Sequence, residues 1–380
     1  MSTVHLPTPH RKERPIANGE RNSDCGLQIA DCKLGNRFPV VTFFLNPDRM
    51  YGRRIRNPRH TNLVMPNPLS KLINPWYPST AVGFEKGLIT MVQLERGRAG
   101  TSSLRRAATV ALPEALIRPS FDEPNISDLP ELTAALTELA TSAGLLRQKR
   151  WSVALPDRSS RSLIVALESQ PASNAELEEV LTWKMERGFG AALEELSISR
   201  ERLSPNSQGR DRYLAVATRT SVLSEYETIV HSLGWRAGLI LPRHIGEGQW
   251  LTINGSNGDG LLLSSSDNGF TAMVFRGKQP LIIRTVTCDP HECEDELYRL
   301  LLFYRDRRGG EADQMGQMLS RVLVVGNMLS KDRACEIVNE TLGADLRPLN
   351  AEDLGLQLST RELSFDAIAA PAGLATLSWQ

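Results

Sequence analysis

The sequence predicts an α/β fold built from two copies of one domain, with a small α/β subdomain inserted in the first copy. Two observations support this prediction. Three consecutive strand patterns, followed by a helix pattern and a further strand, occur after residue 81 and again after residue 260. A separate unit of strands and a helix interrupts the first copy. Strand and helix periods that alternate in this way favour mixed sheets covered by helices.

The first copy begins with residues 81–96, AVGFEKGLITMVQLER, which predict a strand, a tight charged turn and a second strand. A third strand is predicted at 107–112. After a polar loop at 118–130, apolar residues recur at helical spacing, and Ser127 or Asp128 can cap the helix that they indicate. These apolar positions are Leu132, Ala135, Leu136, Leu139, Ala143 and Leu146.

The inserted subdomain is expected at about residues 113–220. Strands are predicted at 151–155, 163–167 and 212–218, and a helix opens at Ser173 with the spacing of a capping box. A helix from Ser221 ends at Gly234, and a strand at 235–241 precedes a Gly/Asn-rich break at 246–260. The second copy then has predicted strands at 260–263, 270–275, 281–287, 321–325 and near 345–348, and helices at 292–307, 331–342 and 365–377.

The composition is that of a soluble globular protein. The 380 residues are 41% hydrophobic and 23% charged, with a net charge of zero, so there is no bulk attraction to nucleic acid or to anionic lipid. No apolar run is long enough for a membrane span and no signal peptide is visible, which predicts a cytoplasmic protein. Five scattered cysteines without CxxC spacing indicate a reducing compartment, and we expect no metal site at Cys288, His291 and Cys293.

The first 78 residues differ from the rest. Residues 1–79 contain 12 Lys or Arg against 5 Asp or Glu, and 10 of the 22 prolines. Such a composition buries too little apolar surface to offset chain entropy, so we expect a disordered, basic, Pro-rich tail at 1–78. The tail is interpreted as a solvated segment, as a sign that the natural start is Met65, or as a basic arm that binds phosphate or anionic lipid.

From residue 79 to 380 the sequence resembles the actin/hexokinase-like ATPase superfamily. More closely, it resembles the PilM-type proteins of type IV pilus assembly, which are relatives of the division protein FtsA. The order and spacing of several blocks carry the resemblance. These blocks are 82–87 (VGFEKG), 91–94 (MVQL), 151–156 (WSVALP), 176–186 (ELEEVLTWKME), 213–219 (YLAVATR), 232–235 (SLGW), 277–284, 325–327 (VGN) and 372–375 (AGLA).

The resemblance implies an actin-like (ribonuclease H-like) fold. Its first half would occupy 79–245 with the inserted subdomain, and its second half 246–380, with the last helix packed back on the first half. The resemblance also implies an ATP cleft between two phosphate-binding turns and an adenosine loop. Nine residues stand at these positions: Gly83, Glu85, Lys86, Gly87, Ser264, Ser265, Ser266, Gly326 and Asn327.

The chemistry of all three motifs departs from that of the family. Glu85 replaces the metal-holding Asp of the first turn, Ser264 and Ser266 replace the Asp and the Gly of the second turn, and Asn327 replaces the second Gly of the adenosine loop. Loss of such carboxylates removes charge compensation at phosphate. We therefore expect no catalytic residues and a degenerate ATPase. Weak binding of ATP and Mg²⁺ stays open, because Glu85 is only one methylene longer than Asp, Asp267 is near, and Lys86 can meet a phosphate.

Two functions follow from the resemblance. The first is a cytoplasmic scaffold of type IV pilus assembly, held at the inner face of the membrane only through its partners. It would bind the N-terminal peptide of an inner-membrane PilN-like protein in a groove between the first half and the insertion, and would also contact other motor or alignment proteins, but no nucleic acid. The second is an active actin-like ATPase or a sugar-kinase-like phosphotransferase. His231 and His244 have no nucleophile nearby and are interpreted as structural or exposed.

Overall fold

The computed structural model describes residues 77–97, 101–253, 258–309, 318–358 and 363–379. Apart from Tyr77 and Pro78, the predicted tail lies outside the described residues. The strands, in chain order, are β1 Thr80–Glu85, β2 Leu88–Arg96, β3 Ser102–Ala111, β4 Arg150–Leu155, β5 Arg161–Ala166, β6 Leu196–Leu203, β7 Arg212–Arg219, β8 Arg236–Pro242, β9 Asp259–Ser266, β10 Gly269–Arg276, β11 Gln279–Thr287, β12 Leu319–Val325 and β13 Leu356–Gln357. The α-helices are α1 Leu129–Ser142, α2 Asn174–Phe189, α3 Thr220–Ser232, α4 Arg243–Ile253, α5 Cys293–Gly309, α6 Lys331–Leu342 and α7 Phe365–Thr376.

Two sheets repeat the same arrangement. In the first, β1, β2 and β3 form an antiparallel meander, and β4 lies parallel to β1 on its other side; the full order is β13-β3-β2-β1-β4-β8. In the second, β9, β10 and β11 form the meander and β12 lies parallel to β9, in the order β11-β10-β9-β12. The duplicated mixed α/β architecture predicted from the sequence is therefore confirmed.

The inserted residues form a third, antiparallel sheet with the order β5-β7-β6. Tyr213, Ala215 and Ala217 on one face of β7 pack in the core that contains α2. On the other face, Leu214 and Val216 belong to the core shared with both large sheets. The strand predicted at 151–155 is not part of this sheet, because β4 pairs with β1 and β8.

The insertion bridges the two large sheets through polar contacts as well. The backbone N–H of Ser204, just after β6, donates to the side chain of Gln279 on β11 at 2.7 Å. Ser162 on β5 lies 2.8 Å from the imidazole of His244 on α4. The inserted sheet is therefore fixed to elements of both halves, and movement of one half against the other would disrupt these contacts.

Helix α4 occupies residues for which the sequence predicts a break. Gly246 and Gly248 suggest a loop, but both lie in a helix whose residues from Arg243 to Thr252 are all buried. Their lack of a side chain admits close neighbours: a Cβ on Gly246 would lie 2.4 Å from the carbonyl oxygen of Ala370 on α7. Gly246 packs on a helix and Gly248 on Phe275 of β10, and periodicity does not distinguish such packing glycines from turn residues.

Helix α7 closes the structure by packing on α4 and on the first sheet. The indole of Trp250 donates to the carbonyl of Ala369 at 2.8 Å. Pro371, inside α7, covers Gly83 of β1 so closely that a Cβ there would lie 3.1 Å from the proline ring. Gly83 thus provides the close approach of a helix to β1. No helix among the described residues is long and apolar enough to cross a membrane.

Candidate functional site

The candidate site is a cavity of about 620 Å³. Five strands point their carboxyl ends at it: β1 ends with Glu85, Asp157 follows β4, Arg243 follows β8, Ser265 and Ser266 end β9, and Gly326 and Asn327 follow β12. Since β1, β4 and β8 are mutually parallel, and β9 is parallel to β12, these ends meet at one edge of each sheet. Ligands of open α/β sheets bind in this kind of crevice.

Six of the nine residues assigned to the site from the sequence line the cavity: Glu85, Lys86, Ser265, Ser266, Gly326 and Asn327. Of the remaining three, Gly83 lies under Pro371, and Gly87 has a φ of 75° that suits the turn between β1 and β2. Ser264 is fully buried behind the wall, where its hydroxyl lies 3.3 Å from Oδ2 of Asp157. The structure thus brings the three motifs together, while the binding role of these residues stays a prediction.

Glu85, which the resemblance places at the position of the metal-holding Asp, forms an ion pair in which Glu85 is partly exposed and Arg243 is buried. Its Oε2 lies 3.0 Å from a guanidinium nitrogen of Arg243, and Arg243 also binds Glu247 at 2.7 Å. Burial raises the pKa of Glu85 and of Glu247, although Arg243 opposes the shift. Burial alone would lower the pKa of Arg243, but the charges of Glu247 and Glu85 raise it above its ordinary value, so the guanidinium stays charged.

Asp157 joins three parts of the fold. Its Oδ1 accepts a hydrogen bond from the backbone N–H of His244 at 3.3 Å, which caps the start of α4, and lies 2.6 Å from Nδ1 of the same imidazole. The other imidazole nitrogen contacts Ser162 of the insertion. Burial raises the pKa of Asp157, but the charge and hydrogen bonds of His244 outweigh it and hold the pKa below its usual range. His244 is therefore buried and not exposed, and the expectation that no nucleophile lies near it is wrong, because the Ser162 hydroxyl contacts its imidazole.

The two turns across the cavity are connected by Lys86. Its Nζ lies 3.2 Å from Glu114 and 3.0 Å from Asp267, so the first-half turn contacts the second-half turn directly. These carboxylates raise the pKa of Lys86. The group is exposed, and such surface pairs stabilise little. The two ion pairs nevertheless neutralise the charge of Lys86, the residue that the sequence analysis expects to be able to contact a phosphate.

The loop after β12 packs tightly on the second turn. The Ser265 hydroxyl donates to the carbonyl of Val325 at 3.1 Å and accepts from the N–H of Met328 at 3.3 Å. Gly326 has a φ of 95°, and a Cβ there would lie 2.3 Å from Oγ of Ser265. Gly326 therefore meets a packing requirement of this chain itself, in addition to any role toward a ligand.

Several charged residues at or behind the cavity wall are not assigned to the site from the sequence, among them Asp157, Arg243, His244 and Glu247. A usable signal exists for the first three, because each comes directly after a strand that is parallel to its neighbour, and the carboxyl ends of such strands form sites. The sequence pattern instead places Asp157 in an ordinary turn, and Arg243 and His244 at a strand end. Glu247 carries no such signal, since it lies one turn into α4.

Comparison with known proteins defines the class of fold. No protein-family model and no curated protein matches the sequence. Among solved structures, the PilM-PilN type IV pilus biogenesis complex matches with a TM-score of 0.60 at 16% identity, over 80% of this chain and 100% of that chain. The structure therefore has the actin-like fold. The fold implied by the sequence is thereby confirmed, and at this identity the likeness concerns the fold alone.

Two further solved structures resemble this one more distantly. A Bacteroides thetaiotaomicron protein with actin-like ATPase fold and unknown function has a TM-score of 0.44 at 11% identity, over 75% of this chain and 96% of that chain. The cytoplasmic domain of EpsL, an inner-membrane component of the type II secretion system of Vibrio cholerae, has a TM-score of 0.40 at 13% identity, over 70% of this chain and 96% of that chain.

Proposed function

We propose that this protein is a cytoplasmic scaffold of type IV pilus assembly or of a related secretion machine. In this role it binds the cytoplasmic N-terminal peptide of an inner-membrane PilN-like protein and does not turn over ATP. The observation that carries the proposal is the match to the PilM-PilN complex, which covers that chain from end to end. The division into a first half at 79–245 and a second half at 246–380 belongs to the same proposal.

The charge pairing at the cavity supports a scaffold over an enzyme. A phosphotransferase of this architecture needs an ionised carboxylate that is free to hold a metal or a water molecule. Glu85 is instead bound to Arg243 at 3.0 Å, and Asp157 to His244 at 2.6 Å. Both carboxylates are paired in the folded protein, so ATP hydrolysis would first have to break these two ion pairs.

The position of the insertion also favours a scaffold. Catalysis in a cleft between two domains uses closure of one domain on the other. Here the inserted sheet packs on elements of both halves, through Ser204 with Gln279 and through Ser162 with His244. These contacts resist relative movement, which suits a rigid platform for a partner.

An active ATPase or sugar-kinase-like phosphotransferase is the second candidate function. Only the cavity itself favours it, because its volume and its place at the carboxyl ends of the strands suit a small ligand. We expect no Mg²⁺-dependent release of phosphate from ATP above the buffer rate, measured with an active actin-like ATPase as a parallel control. Micromolar binding of Mg-ATP with turnover would contradict the scaffold.

We place the partner peptide at the free edge of β3. The insertion strands, the other groove wall predicted from the sequence, are covered on both faces. Among the described residues, β13 pairs only with Ser102 and Ser103 of β3, so 104–111 lacks a strand partner on that edge. An extended peptide can add to such an edge through backbone hydrogen bonds. The N–H of Leu112 donates to the carbonyl of Gly87, which directly precedes β2. Successive N–H groups of a strand point in opposite directions, so the N–H of Thr109, three residues earlier, points away from β2 and towards the free edge.

Replacing Thr109 with proline tests this position. Thr109→Pro removes one outward donor and leaves the ladder to β2 intact, since proline is tolerated on edge strands. We expect the affinity for the labelled peptide, measured by fluorescence anisotropy, to fall by about tenfold, the effect of about one backbone hydrogen bond and a distorted edge. Thr109→Ala is the matched control and should bind as the wild type does.

The two outcomes separate the position from the function. Binding by both variants alike would refute the β3 edge but keep the scaffold. Absence of any interaction between the wild-type protein and the peptide at tens of micromolar would refute the scaffold itself.

A further inference from the structure

The carboxylates on the cavity wall are paired with basic side chains of the protein, whereas a metal site requires carboxylates whose negative charge faces the metal ion. Four carboxylates stand on the wall, and each has a basic partner. The pairs and their distances are Glu85 with Arg243 at 3.0 Å, Asp157 with His244 at 2.6 Å, Asp267 with Lys86 at 3.0 Å, and Asp366 with Lys331 at 2.9 Å. The negative charge of the wall is therefore already compensated within the protein.

Two cations on the same wall have no such compensation. Arg118 and Arg158 line the cavity, and no carboxylate of the described residues lies within ion-pairing distance of either guanidinium. Arg158 directly follows Asp157 in a single helical turn, Asp157–Ser159, that starts after β4. The neighbour of its guanidinium is neutral: in the amide orientation in which Asn268 donates to the carbonyl of Asp267, its side-chain oxygen accepts from Arg158.

Divalent cations do not fit this donor set. Mg²⁺ requires oxygen ligands in octahedral geometry and is held in proteins by one or two carboxylates beside the phosphates. The carboxylates of Glu85 and Asp157 are bound to Arg243 and to His244, and Asp157 also caps α4. The Mg-ATP site that the fold class implies is therefore absent in its usual form.

We infer that the cavity binds a phosphate-bearing anion without a divalent cation, and that Arg118 and Arg158 supply the positive charge in its place. Guanidinium groups bind phosphate oxygens with paired hydrogen bonds, and arginine stays charged at any physiological pH. The cavity volume of about 620 Å³ lies within the range of small-molecule sites. The shared chemistry is a phosphate group, from either a nucleotide or an inorganic pyrophosphate.

Calorimetric titration of the full chain tests the inference, with ATP, ADP and pyrophosphate as probes, each in EDTA and in excess Mg²⁺. We expect binding in EDTA that Mg²⁺ weakens or leaves unchanged, because chelation by Mg²⁺ competes with the arginines for the phosphate oxygens. Binding of pyrophosphate as tight as that of ADP would assign the ligand to inorganic phosphates. Tighter binding of the nucleotides would assign it to those.

Substitution of both arginines completes the test. Arg118→Gln with Arg158→Gln should weaken binding by about tenfold or more, since charge-assisted bonds are lost. Arg236→Gln, at an exposed arginine away from the cavity wall, is the matched control. Binding of the peptide partner by the double variant should be unchanged, which keeps this test separate from that of the scaffold. No binding of any probe, a requirement for Mg²⁺, or an unaffected double variant would overturn the inference.

Discussion

Replacing Gly373 with alanine is expected to lower the free energy of unfolding by about 3 kcal/mol or more. Helices α4 and α7 cross at this residue, and a Cβ on Gly373 would lie 1.8 Å from the carbonyl oxygen of Gly246. The obstacle is backbone, which cannot rotate away as a side chain can. The helices would have to separate, and the contact of Trp250 with Ala369 would be disrupted.

Urea denaturation checks this prediction, with Gly188→Ala as the matched control. Gly188 also lies in a helix, α2, and its added Cβ would meet the end of the Leu163 side chain at 2.6 Å. That side chain can move, and alanine favours the helix by about 1 kcal/mol, so we expect a small net change in stability. Equal stability of the two variants would show that the α4–α7 crossing is more adaptable than its geometry indicates.

The duplicated fold is predictable because it depends on patterns that the chain repeats. The meander of β1, β2 and β3 and that of β9, β10 and β11 both consist of short apolar runs with a tight glycine turn, at Gly87 in the first and at Gly277 in the second. Local rules suffice for such elements, since register and turn chemistry agree. Helix α2 is equally visible, as Ser173 accepts from the N–H of Glu176 at 3.1 Å, as its capping spacing predicts.

Other elements depend on contacts far apart in the sequence. The pattern over α4 predicts a break, because the contacts of its glycines are distant in sequence: Gly246 packs on a helix more than a hundred residues away, at Ala370, and Gly248 packs on Phe275 of β10. β13 is two residues long and pairs with β3, and the strand predicted near 345–348 is only an isolated bridge from Pro348 to Val322. Periodicity cannot report such pairings, because tertiary contacts decide them.

The candidate site, too, has a part that the sequence predicts and a part that it does not. The motifs at Glu85, Ser265 and Gly326 are found through their similarity to a family, and they do line one cavity. The ion pairs that decide its chemistry are not predicted, because no sequence pattern links Arg243 to Glu85. Their pairing follows from the parallel arrangement of β1 and β8 on either side of β4, which places both strand ends together.

Replacing Asp157 with asparagine is expected to lower the free energy of unfolding by about 3 kcal/mol at pH 7, near the lower end of the cost of breaking a buried pair. The variant loses the charge that faces His244 and weakens the cap of α4. One effect opposes the loss: Asp157 raises the pKa of Glu85 and of Glu247, so removing its charge relieves repulsion among these carboxylates. The loss is larger than the gain, because the imidazole of His244 and the hydroxyl of Ser264 then face a neutral amide instead of a carboxylate.

The pH dependence distinguishes this pair from surface pairs. The pKa of Asp157 is lower in the folded protein than the unfolded value of about 4. The carboxylate therefore contributes its stability above pH ~4, and that contribution is lost as the pH falls through the folded pKa. The stability difference between the wild type and Asp157→Asn should accordingly shrink below pH ~4. Denaturation at a series of pH values measures it.

Asp267→Asn is the matched control, because Asp267 is also on the cavity wall but its side chain is 61% exposed in its pair with Lys86. We expect it to cost less than about 1 kcal/mol at any pH. If Asp157→Asn were as stable as Asp267→Asn, Asp157 would not be fixed by its buried partners. It would then be free to act on a ligand, and the grounds for a scaffold without turnover would weaken at the same residue. A large loss at Asp157 alone would instead establish that this carboxylate holds α4 and the insertion in place.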